Sequence, residues 1–318
     1  MRANELLKNN PLVIADVGAS GGLHPRWEEF TSSYKGILFE PDPREYEQLI
    51  KKVDNRIVII DTALSDSKKE ILFHLCKKQQ VSSVFKPNTR FLDMFPDAGR
   101  HDVERTIQIQ SDRMDSLLKE KGIQYVDFLK IDTQGFELAI LKGASGYIGD
   151  IIGLQIEVEF VEMYLEQPLF SQVDEYVRKQ GFELFDLQRY YWKRKNSIAT
   201  GITKGQLIFG DTLYFKTPES ILSDLNVSSD KLIRAICIYL IYGYVDLAQI
   251  LFEESGLKKR LDKATLHLVT KLIQKQQRRS FIPRFKGKGF LRNTLQKITN
   301  IFEEHEWYSG SDKKLGNL

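Results

Sequence analysis

The chain of 318 residues has only two cysteines, Cys76 and Cys237, far apart in sequence. They cannot form a disulfide framework or, alone, a metal site. No HxExH or CxxC spacing occurs, so no intrinsic metal site is expected. No serine or cysteine sits in a nucleophile elbow with an identifiable partner histidine, so covalent catalysis is not indicated. The longest uninterrupted apolar run, Ala235 to Tyr242, falls far short of the roughly 20 residues that cross a bilayer. The first residues, MRANELLKNNP, hold no apolar stretch of secretory length. The expectation is a cytoplasmic protein.

Hydrophobic residues make up 42% of the chain and charged residues 28%, enough for one large core or two smaller ones. The net charge of +3 conceals an asymmetry. Residues 257 to 300 contain 13 Lys or Arg against the single Asp262, a net +12 that leaves −9 for the rest. Polyanion or membrane contact is therefore expected of this basic segment, where Arg278, Arg279, Arg284, Lys286, Lys288 and Arg292 alternate with Phe281, Phe285 and Phe290.

Short apolar runs recur at Leu12–Val17, Gly36–Phe39, Ile57–Ile60, Phe128–Ile131 and Ile151–Val158. Helix-compatible stretches such as Pro43–Val53 and Phe136–Gly143 separate them. This rhythm predicts an α/β fold with a doubly wound, mostly parallel sheet. In KGQLIFGDTLYFK, Gly210-Asp211 reads as the turn of an antiparallel hairpin. Residues 82 to 103, with Pro87, Pro96 and Gly99, read as a long excursion over the sheet. Pro218 marks a change to helical spacing. Residues 1–217 are expected to form the main domain and 218–318 a small helical one, with Gly243 between two apolar helices.

The sharpest motif is LVIADVGASGG, a strand ending at Asp16 followed by a small-residue turn containing Gly18, Ala19, Ser20, Gly21 and Gly22. Small residues there let the backbone approach a ligand closely. Glu40, in ILFEPDP at the end of the next strand, is placed to accept both hydroxyls of a ribose. The turn has GxSxG spacing and lacks the GxGxxG that brings a pyrophosphate to a helix N-terminus. Asp16 would repel a diphosphate and attract a cationic amino-acid moiety, as in S-adenosylmethionine.

The motifs DVGASGG, FEPDP, DTALSD, VSSVFKPN, VDFLKIDTQGFELAILKGA and IEVEF resemble, in order and spacing, those of the FkbM-type S-adenosylmethionine-dependent methyltransferases. The resemblance extends over about Leu12 to Lys216. It implies a class I methyltransferase with a seven-stranded sheet, the cofactor at the C-terminal strand ends, and methyl transfer to a hydroxyl oxygen of a sugar, glycan or related metabolite. It further implies that Asp16, Gly18, Ala19, Ser20 and Gly22 line the methionine part, that Glu40 and Pro41 hold the ribose, and that Ala63-Leu64 meet the adenine edge. Asp132 would stand beside methionine and acceptor. Gln134 departs from the glutamate more usual in the KIDxEG stretch.

A sulfonium is already an activated methyl donor, so the protein must align two groups and remove one proton. Asp132, Glu157 and Glu159 are the candidate bases, with His74 and His101 in reserve and Lys130 as a supporting ion-pair partner. Glu157 and Glu159 share one strand face. Two other readings stand beside this one: an RNA ribose methyltransferase guided by the basic tail, and a cofactor-binding scaffold without turnover. Nucleic acid is not the expected partner, whereas peripheral contact with an anionic inner-membrane face through 257–300 is compatible with the charge.

Overall fold

The computed structural model describes residues 3–52, 54–196, 204–276, 286–301, 306–310 and 315–317. Its main sheet has the strands β1 (Leu12–Val17), β2 (Tyr34–Phe39), β3 (Ile57–Ile60), β7 (Phe128–Ile131), β8 (Gly153–Glu159), β9 (Glu183–Trp192), β10 (Gln206–Phe215) and β11 (Tyr308–Gly310). They lie in the order β11-β9-β10-β8-β7-β1-β2-β3. The five from β3 to β8 pair in parallel, and β10, β9 and β11 add antiparallel. The seven-stranded doubly wound sheet is present, and the C-terminal segment adds an eighth strand at its edge.

All six residues of β1 are buried, because a central parallel strand has packing layers on both faces. Val13, Ala15 and Val17 share one apolar cluster with Leu129, Ile131, Leu154, Ile156 and the helices Met114–Glu120, Glu137–Gly143 and Phe170–Lys179. On the opposite face Leu12, Ile14, Phe128, Leu213 and Phe215 pack against Trp27 and the helix Ser229–Ile241. Ten of that helix's 13 residues are buried, so the region after Pro218 shares a continuous core with the sheet. The helix Val245–Glu254 follows Gly243, which has φ +80°.

Gly210 and Asp211 lie in the middle of β10, which overturns the hairpin expected there. The antiparallel partner is β9, reached through residues 193–205. A side chain at Gly210 would approach the Gln188 carbonyl to 2.7 Å, so the glycine serves close strand packing. A second sheet, unanticipated from the sequence, has the order β4-β6-β5, with β4 at Ala63–Leu64, β5 at Lys69–Cys76 and β6 at Val103–Asp112. The exposed positions of its long strands mix polar residues such as Glu70, Glu104, Thr106, Gln108 and Gln110 with Leu72 and Val103, so no clean apolar run marks them.

The helix Pro43–Leu49 begins where Asp42 accepts a hydrogen bond from the Arg44 amide at 2.9 Å, with proline at its first position. The 229–241 helix is tied to the sheet by charge: Arg234 Nε lies 2.8 Å from Asp127 Oδ1, both side chains buried, while Asp127 Oδ2 accepts the Val13 amide at 2.9 Å. Arg234→Ala leaves that carboxylate buried without its cation. The expected loss is about 3–5 kcal/mol of unfolding free energy, read from the denaturant midpoint.

Candidate active site

On one face of the sheet the side chains pass from apolar to charged along the parallel strands. In β1 the series is Leu12, Ile14, Asp16; in β7 and just beyond it is Phe128, Lys130, Asp132; in β8 it is Gln155, Glu157, Glu159. The register sets Asp16 opposite Lys130, Lys130 opposite Gln155 and Glu157 opposite Asp211. Lys130 Nζ lies 3.2 Å from Asp16 Oδ1 and 3.5 Å from Asp132 Oδ2. Burial works against this ammonium, yet the two carboxylates raise its pKa above the usual lysine value.

The acids divide by protonation state. Burial pushes Asp16 up to about 6 despite Lys130, and Asp211 likewise to about 6. Burial also opposes ionisation of Asp132, but Lys130 and hydrogen bonds from Glu157 and Gln134 hold it below the usual value. Burial and the negative Asp132 push Glu157 well up, so of the two carboxyls Glu157 keeps its proton to higher pH and Asp132 ionises first.

Gln134 joins this pair. Its Nε2 lies 3.3 Å from Asp132 Oδ1 and 2.6 Å from Glu157 Oε2, while its Oε1 is 2.9 Å from the buried Tyr164 hydroxyl. The residue has φ +58°, an uncommon conformation for a non-glycine, and Ser83 Oγ donates to its carbonyl at 2.8 Å. Glu137 organises the same loop by accepting from the Thr133 amide and hydroxyl and the Gly135 amide. Burial nevertheless raises Glu137 to about 7.

Two chambers meet at this loop. The first, about 200 Å³, is lined by Gly18, Ser20, Glu40, Pro41, Ala63, Leu64 and Asp132 of the expected set. Phe73 and Ile109 from the second sheet, with Phe136 and Ile140, give it an apolar end. Gly18 has φ +74°, and a Cβ there would fall 1.9 Å from the Asp132 carbonyl, so only glycine allows the turn to meet the end of β7. Glu40 is buried, takes the Asp42 amide on Oε1 at 3.0 Å, and is pushed up to about 7 mainly by burial.

The remaining expected residues lie elsewhere. Asp16 is 2% exposed, beneath the first chamber against Lys130 and absent from its wall. Ala19 packs with Leu38 and Leu49, and Gly22, at φ +87°, donates its amide to the Ala19 carbonyl. Glu157 lines the second chamber, whereas the buried Glu159 lines neither and is raised by burial and by Glu137. His101 borders the second chamber; His74 bonds Thr106 Oγ1 at 2.9 Å. Gln134, Glu137, Tyr164 and Asp211 were not singled out for a role at the site, because their importance comes from partners distant in sequence.

A family model described as the methyltransferase FkbM domain matches residues 16–184. The chain belongs to the FkbM methyltransferase family. It is similar to the 2-O-methyltransferase NoeI of Sinorhizobium fredii (strain NBRC 101917 / NGR234), with 24% identity over 179 residues, covering 53% of this chain and 72% of that protein. Among solved structures it is similar to precorrin-6y C5,15-methyltransferase from Geobacter metallireducens GS-15, with 9% identity, TM-score 0.33, and 65% and 80% of the two chains covered. It is also similar to human methyltransferase-like protein 13 in complex with SAH, with 10% identity, TM-score 0.32, and 92% and 93% covered.

The methyl donor of this FkbM methyltransferase is S-adenosylmethionine. The first chamber fits such a group: the Gly18 turn leaves backbone open to it, Glu40 presents a carboxyl for hydroxyls, and Leu64, Phe73 and Ile109 offer apolar walls to a purine. Among the described residues no three His, Cys, Asp or Glu side chains cluster as a metal site.

The raised carboxyls set a pH dependence. Asp16, Glu40 and Glu137 hold protons in the folded chain up to about 6 to 7, where the unfolded chain has lost them. Folded protein therefore binds more protons between the ordinary carboxyl pKa and about 7, and stability falls as pH rises through that window. The ligand-free Tm should drop from about pH 5 to about pH 7.5. Glu40→Gln should flatten part of that slope in a thermal-unfolding series.

Proposed function

We propose that this methyltransferase transfers the methyl group of S-adenosylmethionine to a hydroxyl oxygen of a sugar, glycan or related small metabolite, with Asp132 as the proton acceptor. The observation that carries the reading is the shared wall. Asp132 and Gln134 line both chambers, and Asp132 is the ionised member of its pair. The printed name of the NoeI relative supports oxygen as the acceptor atom.

The bound cofactor supplies a methyl already activated on a positive sulfur. In the first chamber, Gly18 and Ser20 are assigned to the methionine part, Glu40 and Pro41 to the ribose, and Ala63 and Leu64 to the adenine. Asp16, with Ala19 and Gly22, acts from beneath by fixing Lys130 and the turn. Lys130 holds the Asp132 carboxylate in place, and the protonated Glu157 donates to it. An alcohol oxygen that gains a methyl becomes a strongly acidic oxonium, so a carboxylate of depressed pKa is basic enough to take its proton late in the displacement. Alignment across the shared wall supplies the rest.

A scaffold without turnover is excluded by any labelled product. The decisive experiment is transfer of tritiated methyl from S-adenosylmethionine to fractionated host extract, with mass spectrometry of the product. Asp132→Asn should lower kcat by about 10²–10⁴-fold while calorimetry shows S-adenosylhomocysteine still binding. Absence of both binding and label would refute the reading.

Peripheral membrane contact is the proposed role of the basic segment. Within the described part, the helix Lys288–Ile301 exposes Phe290, Leu291, Leu295 and Ile298, and residues 286–301 carry four cations and no acid. Leu291, Leu295 and Ile298 fall on one helical stripe, the pattern of a helix lying in a lipid interface. Among the described residues no helix is long and apolar enough to cross a membrane. Arg278, Arg279, Phe281, Arg284 and Phe285 lie outside the described residues. The full chain should cosediment with phosphatidylserine-containing vesicles and not with pure phosphatidylcholine, and Leu295→Glu should abolish the difference. Equal partitioning to both would remove the proposal.

A further inference from the structure

The second chamber, about 530 Å³, has a wall that the family match does not reach: Trp192 from β9, with Trp307 and Tyr308 from the C-terminal segment. The β11–β9 pairing places Tyr308 opposite Trp192, and the Lys193 amide donates to the Trp307 carbonyl at 2.8 Å. The two indoles meet edge to face at 5.8 Å. The Arg100 guanidinium lies 4.9 Å from the Trp192 ring centre and 5.4 Å from that of Trp307.

This wall contains unspent hydrogen-bond donors. Trp192 is 2% exposed, and its Nε1 and the Nε of Arg100 are buried with no hydrogen-bond partner. Among the described residues no carboxylate forms a salt bridge with Arg100. A half-buried guanidinium without a carboxylate partner in the wall of an open chamber marks where a ligand's acceptors belong. Across the chamber stand Asp132, Gln134 and Glu157, which offer both acceptors and donors. The occupant must present an apolar ring face to the half-buried Trp307 indole, oxygen acceptors to the half-buried Arg100, and hydroxyl donors to carboxylates. A pyranose does all three, since its axial C–H groups form an apolar face and its rim is hydroxyl.

We infer that Trp307 and Arg100, backed by the buried Trp192, form the subsite that positions a pyranose ring, so that strand β11 and the residue before it complete the acceptor site of the methyltransfer proposed above. The inference rests on that reading for the identity of the reacting hydroxyl, but the subsite can be tested without turnover. Trp192 and Trp307 are two of the chain's three tryptophans, and the third, Trp27, is buried in the core against Phe128.

The experiment titrates the full chain, saturated with S-adenosylhomocysteine, with a panel of methyl hexopyranosides and 6-deoxyhexopyranosides, and follows tryptophan fluorescence. At least one glycoside should give a saturable change, which Trp307→Ala and Arg100→Ala remove and Trp307→Phe partly restores. Calorimetry should show S-adenosylhomocysteine affinity unchanged in all three, which certifies their fold. Against the labelled acceptor, Trp307→Ala should raise KM roughly tenfold with kcat nearly kept, the signature of lost ground-state binding. No saturable change with any glycoside, or a change that survives both alanine variants, overturns the subsite even where methyl transfer proceeds. Saturable glycoside binding without any labelled product would instead uphold the subsite and refute the proposed reaction.

Discussion

Lys130 stands between Asp16 and Asp132, and the charge pattern at the open end of the sheet depends on that placement. Several carboxyls converge there on one face, and they cannot all ionise at such separations in a poorly hydrated setting. The single ammonium decides which of them does. It holds Asp132 ionised at the shared wall, while Glu157, Glu159 and Asp211 retain protons to higher pH. Without a cation at Lys130, the same strands would bring together acids that protonate in competition, and none would be held ionised in preference to the others.

Gln134 extends the same economy of charge. A glutamate at this position would bring another negative group within hydrogen-bond reach of Asp132 and Glu157. The amide instead donates to both and accepts from Tyr164. The departure from the more usual glutamate thus has a local rationale: the pair is held by a neutral linker, and the left-handed backbone at Gln134 is the strain that aims it.

The parallel strands, their crossover helices and the Gly18 turn were legible because each depends on residues close in sequence. An apolar run buried on both faces, or a cluster of small residues at a strand end, identifies itself. Asp132 and Glu40 were legible for the same reason, as acids terminating apolar strands. Three features were not. β5 and β6 expose polar residues together with Leu72 and Val103, so their periodicity is diluted. Gly210-Asp211 has the composition of a turn, yet the long strand β10 absorbs it because β9 approaches too closely for a side chain. Glu159 lies on the same strand face as Glu157 but two residues farther along, which is enough to place it outside both chambers.

The strand β11 comes from the extreme end of the described chain, but its partner β9 is formed more than a hundred residues earlier. During synthesis the first chamber has all its lining residues once residue 140 has emerged, long before Trp307 and Tyr308 are translated. A chain released before Trp307 would keep the first chamber's residues and lose one wall of its neighbour, leaving the outer edge of β9 uncovered for pairing with a stranger. The cover of β9's outer edge therefore depends on a pairing that spans more than a hundred residues of sequence.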